Sequence, residues 1–194
     1  MRSFSTEETA NFTVADPGAP GGTRDQTWLF PSQAQCRNCH TDAAGVVLGV
    51  RTRQIHRDFA YGPVADDQLR SWNHIGLFDI DIGSPNAYDA YPNPFDATQP
   101  QGRRARAYLA ANCAQCHLPG GSAPGALDFR FEAGPSGLGV NVPPASGDLG
   151  LTNPLIIRPG SKESSVLWER LRRLDGQRMP PLASSRSARS AARS

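Results

Sequence analysis

The sequence predicts a mainly α chain, folded as two small lobes with long irregular Gly/Pro-rich loops. Three observations point there. Apolar residues recur at helical spacing in three segments, while runs of strand-like alternation are scarce. Nineteen Gly and 17 Pro in 194 residues interrupt everything between those segments. One Cys-x-x-Cys-His cluster falls in each half, at residues 36–40 and 113–117.

Residues 1–26 read as a polar approach segment or linker. Asn11-Phe12-Thr13-Val14 has the composition of a short strand, and residues 16–22 carry two Pro and three Gly, a turn composition. Trp28-Leu29-Phe30 is apolar and stops at Pro31-Ser32. Ser32 is placed to cap a short helix running through the first Cys cluster. Residues 64–76 carry Val64, Leu69, Trp72 and Ile75 as a partial helical stripe, and residues 79–101, with four Pro, read as loop.

The second half repeats the Cys cluster, with no other internal similarity. Residues 102–113 predict a helix, with Ala105, Tyr108 and Leu109 at i, i+3 and i+4, feeding the second Cys cluster. Residues 118–160 predict loop with extended pieces such as Leu155-Ile156-Ile157. Residues 161–174 predict the clearest helix, with Ser161 as its cap, Val166, Leu167, Leu171 and Leu174 as its apolar face, and Gly176 as its stop. The lobes are then 27–101 and 102–182, followed by a disordered Arg/Ser tail over 183–194.

Composition limits the function. Only 38% of residues are hydrophobic, so side chains alone build a modest core, and a large bound group would supply the missing apolar mass. The net charge of +2 is too weak to argue for nucleic acid or an anionic membrane; without Arg186, Arg189 and Arg193 of the tail it becomes −1. No stretch approaches the roughly 20 apolar residues that span a bilayer.

The chemistry rests on Cys36-Arg37-Asn38-Cys39-His40 and Cys113-Ala114-Gln115-Cys116-His117. Two thiols spaced by two residues lie on one local turn, suited to thioether bonds with the two vinyl groups of a haem. A His directly after the second Cys can then present its imidazole to the iron. All four Cys lie in such pairs, and both pairs are followed by His, which fills only 4 of 194 positions. Random placement of both His has a chance of roughly 4 in 10,000, so the pattern predicts two covalent haems c. A structural zinc site is the weaker alternative: 73 residues separate Cys39 from Cys113, and zinc gives no reason for the trailing His. A thioredoxin-like pair lacks its βαβ context, and a disulfide framework is a minor alternative.

A second axial ligand is expected in an electron-transfer haem. Met179, in Arg178-Met179-Pro180-Pro181, is the one internal Met and is assigned to the second iron. The first iron has no Met left. His74, in the apolar Trp72-Asn73-His74-Ile75-Gly76-Leu77-Phe78, is the candidate, ahead of His56, whose charged surround is more typical of the surface; an open iron is the other option.

Together with Trp28 to Cys36, Leu48-Gly49, Thr52-Arg53-Gln54, Ala107-Tyr108-Leu109, Leu118-Pro119-Gly120-Gly121 and Pro159-Gly160, these clusters and Met179 resemble a family of bacterial dihaem c-type cytochromes. The resemblance covers about residues 11–182. It implies two cytochrome-c-like lobes and a periplasmic or extracytoplasmic electron carrier, working with a redox partner protein or a fused dehydrogenase domain. It carries over both Cys clusters and Met179, and leaves the first distal ligand open. The chain departs from the family at both ends: no export signal precedes it, and no apolar helix follows Met179. A fragment, or a shifted reading frame near the 3′ end, is the expectation. The rival from another class is a dihaem peroxidase-like enzyme with an open first haem.

Overall fold

A computed structural model describes residues 5–182. The expectation of a mainly α chain is overturned. Helix accounts for 22% of the described residues and strand for 16%, in five short α-helices and two small sheets. The tail at 183–194 lies outside the described residues.

The first element is a β-hairpin, where the sequence reads as a polar approach segment with a short strand at 11–14 and a turn at 16–22; the strand extends further than the sequence predicts, and its pairing partner is not predicted. β1 (Glu8–Ala15) pairs antiparallel with β2 (Thr23–Phe30), Glu8 opposite Phe30 and Ala15 opposite Thr23. Thr and aromatic residues on both strands suit a pleated surface. The Pro/Gly segment between them turns the chain, with Gly21 and Gly22 at φ +81° and +72°. The Arg24–Asp16 ion pair, 3.0 Å, closes the turn. β2 runs through position 26 to Phe30, so the hairpin leads directly into the first Cys cluster.

α1 (Gln33–Cys36) starts as expected at Ser32. The Ser32 hydroxyl accepts from the Gln35 N–H, and the Gln35 side chain accepts from the Ser32 N–H, a reciprocal capping box. α2 (Thr52–Ile55) leads to a second hairpin, β3 (Asp58–Tyr61) with β4 (Val64–Asp67). α3 (Gln68–His74) begins at once, because the Asp67 carboxylate accepts from the N–H groups of Leu69 and Arg70. The predicted stripe over 64–76 therefore splits into a strand and a helix. Leu69 is fully buried under α3, while Ile75 is exposed.

α4 (Gln101–Asn112) is the longest helix. Its buried face is Ala107, Leu109 and Ala110, whereas Ala105 and Tyr108 of the predicted stripe are exposed. α5 is shorter than the sequence predicts: Val166–Arg172. Ser161 does not cap it. The 161–165 segment is a turn in which Ser165 Oγ donates to the Ser161 carbonyl at 2.7 Å. The helix ends at extended Arg173, before Gly176. The core lies in the second half: Leu109, Ala114, Phe129 and Leu138, with Leu127, Val140, Ile157 and Leu167 packed against them. Gly139 is required there. At φ +78°, a Cβ on it would sit 2.7 Å from Ile156 Cβ.

The physical reason for the low helix content is the distribution of Gly and Pro. The longer segments between elements carry residues that break a helical hydrogen-bond ladder. Helices survive where eight or more residues escape them, as in α4, or where a side chain supplies a cap, as in α1 and α3.

Candidate haem-attachment sites

The two Cys clusters fold alike. In the first, Cys39 N–H donates to the Cys36 carbonyl at 3.1 Å and His40 N–H to the same carbonyl at 3.0 Å. In the second, Cys116 N–H donates to the Cys113 carbonyl at 3.1 Å and His117 N–H to that carbonyl at 2.9 Å. Each cluster is thus one closed turn at the end of a helix, α1 or α4, that aims it. Residues three and four apart share a face of such a turn.

Their surroundings differ. The second cluster opens on a cavity of about 300 Å³. Cys113, His117 and Met179 all line it, between apolar walls from Leu127, Phe129, Ile156 and Leu167. The His117 ring packs on Phe129 with centroids 4.7 Å apart. Burial holds the His117 imidazole below its ordinary pKa, and the Arg170 charge adds to this; the neutral ring is the form that ligates a metal. His117 Nδ1 is buried without a hydrogen-bond partner. The Met179 N–H donates to the Arg170 carbonyl at 3.0 Å, and Arg170 Nη1 donates to the Gln177 carbonyl, so α5 straps the Met loop to the cavity wall. Burial, then the neighbouring Cys116, push the Cys113 thiol up to about 11.

At the first cluster, His40 is exposed and its Nδ1 meets the Val46 carbonyl at 2.6 Å. A carbonyl only accepts, so Nδ1 carries a proton, and the neutral ring in this tautomer keeps its lone pair on Nε2. Val46 holds this carbonyl with a φ of +57°, unusual for a β-branched residue. Val46, Val47, Leu48 and Val50 beside it are all exposed, an uncovered apolar strip.

The remaining His are placed elsewhere. His74 is exposed at the C-terminal end of α3. His56 is not a surface residue: its Nε2 lies 3.7 Å from Asp67, the cap of α3, and its side chain is 17% exposed.

One contact had no signal in the sequence. The second thiols of the two clusters touch: Cys116 Sγ lies 3.4 Å from Cys39 Sγ and 3.5 Å from the Asn38 carbonyl. Ser122 Oγ donates to that same carbonyl. Burial, then contact with Cys116, raise the Cys39 thiol to about 11. A Cβ on Gly121 would collide with the Cys116 carbonyl, so this turn accepts glycine alone.

Among the described residues, no three His, Cys, Asp or Glu side chains gather as a metal-holding group. Also among the described residues, no helix is long and apolar enough to cross a membrane. Comparison with protein-family models, curated proteins and solved structures found no match.

Proposed function

We propose that the chain is a dihaem c-type cytochrome acting in electron transfer. One haem c is held by Cys36, Cys39 and His40, the other by Cys113, Cys116 and His117, with Met179 as the second protein ligand of the latter. The observation that carries this is the recurrence of one closed Cys-x-x-Cys-His turn, with the same pair of backbone hydrogen bonds, at two places 77 residues apart in the chain. The residues fit the group. The cavity brings His117 and Met179 to one apolar space, and His40 has its Nδ1 proton engaged by a carbonyl.

The haem iron supplies the one-electron chemistry when bound. The chain's own residues do the rest. Four thiols tether, two imidazoles orient, Leu127, Phe129, Ile156 and Leu167 exclude water, and Val46 fixes the tautomer of His40. Oxidising, extracytoplasmic surroundings and a redox partner protein, or a dehydrogenase domain fused to the chain, belong to this proposal.

The test is a pyridine haemochrome spectrum with an intact mass, on chain made with a cytochrome c maturation system. The expected result is a haem c spectrum and a mass gain of about two haems. Absence of a haem signal ends the proposal. The second reading, a peroxidase-like enzyme, is favoured by the exposure of His40 and by the lack of a second internal Met for the first site. Carbon monoxide binding to half of the reduced haems supports it; two haems that bind neither carbon monoxide nor cyanide exclude it.

A further inference from the structure

Cys39 and Cys116 belong to different clusters, 77 residues apart, yet their sulfurs are 3.4 Å apart. A disulfide needs about 2.0 Å, roughly 1.4 Å less than the present separation. The contact is held by more than the thiols. Cys116 Sγ and Ser122 Oγ both donate to the Asn38 carbonyl, pinning residues 116–122 on the first cluster. Gly120 lies against the same loop, where a Cβ would meet Ala43 Cβ at 3.5 Å. Meanwhile the partner within the second cluster is drawn off: Cys113 lines the cavity, whereas Cys116 faces Cys39. All four Cys are free thiols in this structure.

We propose that, before any cofactor is attached, Cys39 and Cys116 form a disulfide that joins the two clusters. The oxidant is a small-molecule disulfide such as glutathione disulfide. One Cys, losing its proton, attacks a sulfur of the oxidant and releases one thiolate. The second Cys, also losing its proton, attacks the mixed disulfide and releases the other. Two protein thiols are oxidised to one S–S bond, and one oxidant molecule is reduced to two thiols. The bond takes one thiol from each cluster, so a single link closes both attachment sites at once. Under the haem reading, on which this consequence rests, the chain then requires reduction before either haem can be attached.

The experiment uses the full chain, made without haem-attachment machinery, reduced, then exposed to glutathione disulfide and digested with trypsin after alkylation. Arg37 separates Cys36 from Cys39, so residues 25–37, 38–51 and 107–130 carry the Cys on distinct peptides. The expected product is 38–51 linked to 107–130, two hydrogens lighter than the sum and split by dithiothreitol. Cys113→Ser keeps this link and Cys116→Ser abolishes it. In urea, loop closure favours pairs three residues apart over one 77 apart by roughly a hundredfold, so the cross-link should nearly vanish there. Links confined to 36–39 and 113–116, or the same distribution with and without urea, overturn the inference. A chain that takes up two haems but never forms the cross-link sinks this inference alone; one that forms it but takes up no haem sinks the haem proposal alone.

Discussion

His40 and His117 end matching turns but differ in what steadies them. His40 is steadied by the Val46 carbonyl, and Val46 is strained to offer it. A non-glycine residue held in a sparsely populated region costs about 1–3 kcal/mol, and glycine's greater freedom costs about 0.5–1 kcal/mol. Val46→Gly should therefore raise stability by about 1 kcal/mol in urea unfolding; a loss of stability contradicts the strain. Met179 is tested in haem-loaded protein. Met179→Ala should lower one haem potential, on the order of 0.1 V within the roughly 0.8 V that axial ligands span, and open that haem to carbon monoxide. Unchanged potentials remove Met179 from the ligand set. Glu169 supplies a pH dependence. Arg172 beside it, then Arg173 at 2.9 Å, hold its carboxyl below the usual range. A depressed folded value means stability present above the unfolded pKa, about 4.3, and lost as pH falls through the folded value. Glu169→Gln should lower the melting temperature at pH 7, and the difference should close below about pH 4; a pH-independent difference refutes the ion-pair account.

Helix α4 carries the second cluster on its C-terminal end, and its burial determines how firmly that cluster is held. Leu109 is 5% exposed at the centre of the core, while Tyr108 is 42% exposed. Leu109→Ala should cost about 2–5 kcal/mol, and Tyr108→Ala within about 1 kcal/mol. Chemical denaturation of both variants decides whether the buried face is 107, 109 and 110, or the 105, 108 and 109 stripe that periodicity suggests. α5 belongs at the same scale. Its seven residues carry the wall of the cavity and the strap to Met179, so a short helix serves through its carbonyls and Arg170 rather than through length.

For the whole molecule, Arg53 is one residue that ties the first half to the second. Arg53 pairs with Asp89 at 2.7 Å and with Glu132 of the second half at 2.8 Å, and lies 5.2 Å over the Phe131 ring. Its acidic partners are mostly exposed, so each pair contributes no more than about 1 kcal/mol, and the ring contact about 0.5–1 kcal/mol. Arg53→Ala should lower stability by about 1–2 kcal/mol and speed hydrogen exchange at residues 89–91 and 131–133 together. Faster exchange in one half alone would show that Arg53 does not couple them.

Local chemistry was legible in the sequence. The Cys-x-x-Cys-His turns, the Ser32 cap, the Gly/Pro turn at 16–22 and the helix before Cys113 depend on neighbours within a few residues. The arrangement that depends on distant neighbours was not. Of the first hairpin only the strand at 11–14 and the turn were legible, because its strands are polar and its pairing partner is a separate segment. Helix content was overestimated because apolar spacing in 64–76 and 161–174 does not reveal that β4 and the Ser165 turn take the first residues of each. His56 read as a surface residue because only folding brings Asp67 to it. By itself the sequence determined which residues carry thiols, imidazoles and the thioether, and how each cluster turns. The tertiary structure decided that His117 and Met179 share one apolar cavity, that His74 stays exposed, and that Cys39 meets Cys116, because contacts across 62 and 77 residues are set by packing, which no local pattern encodes.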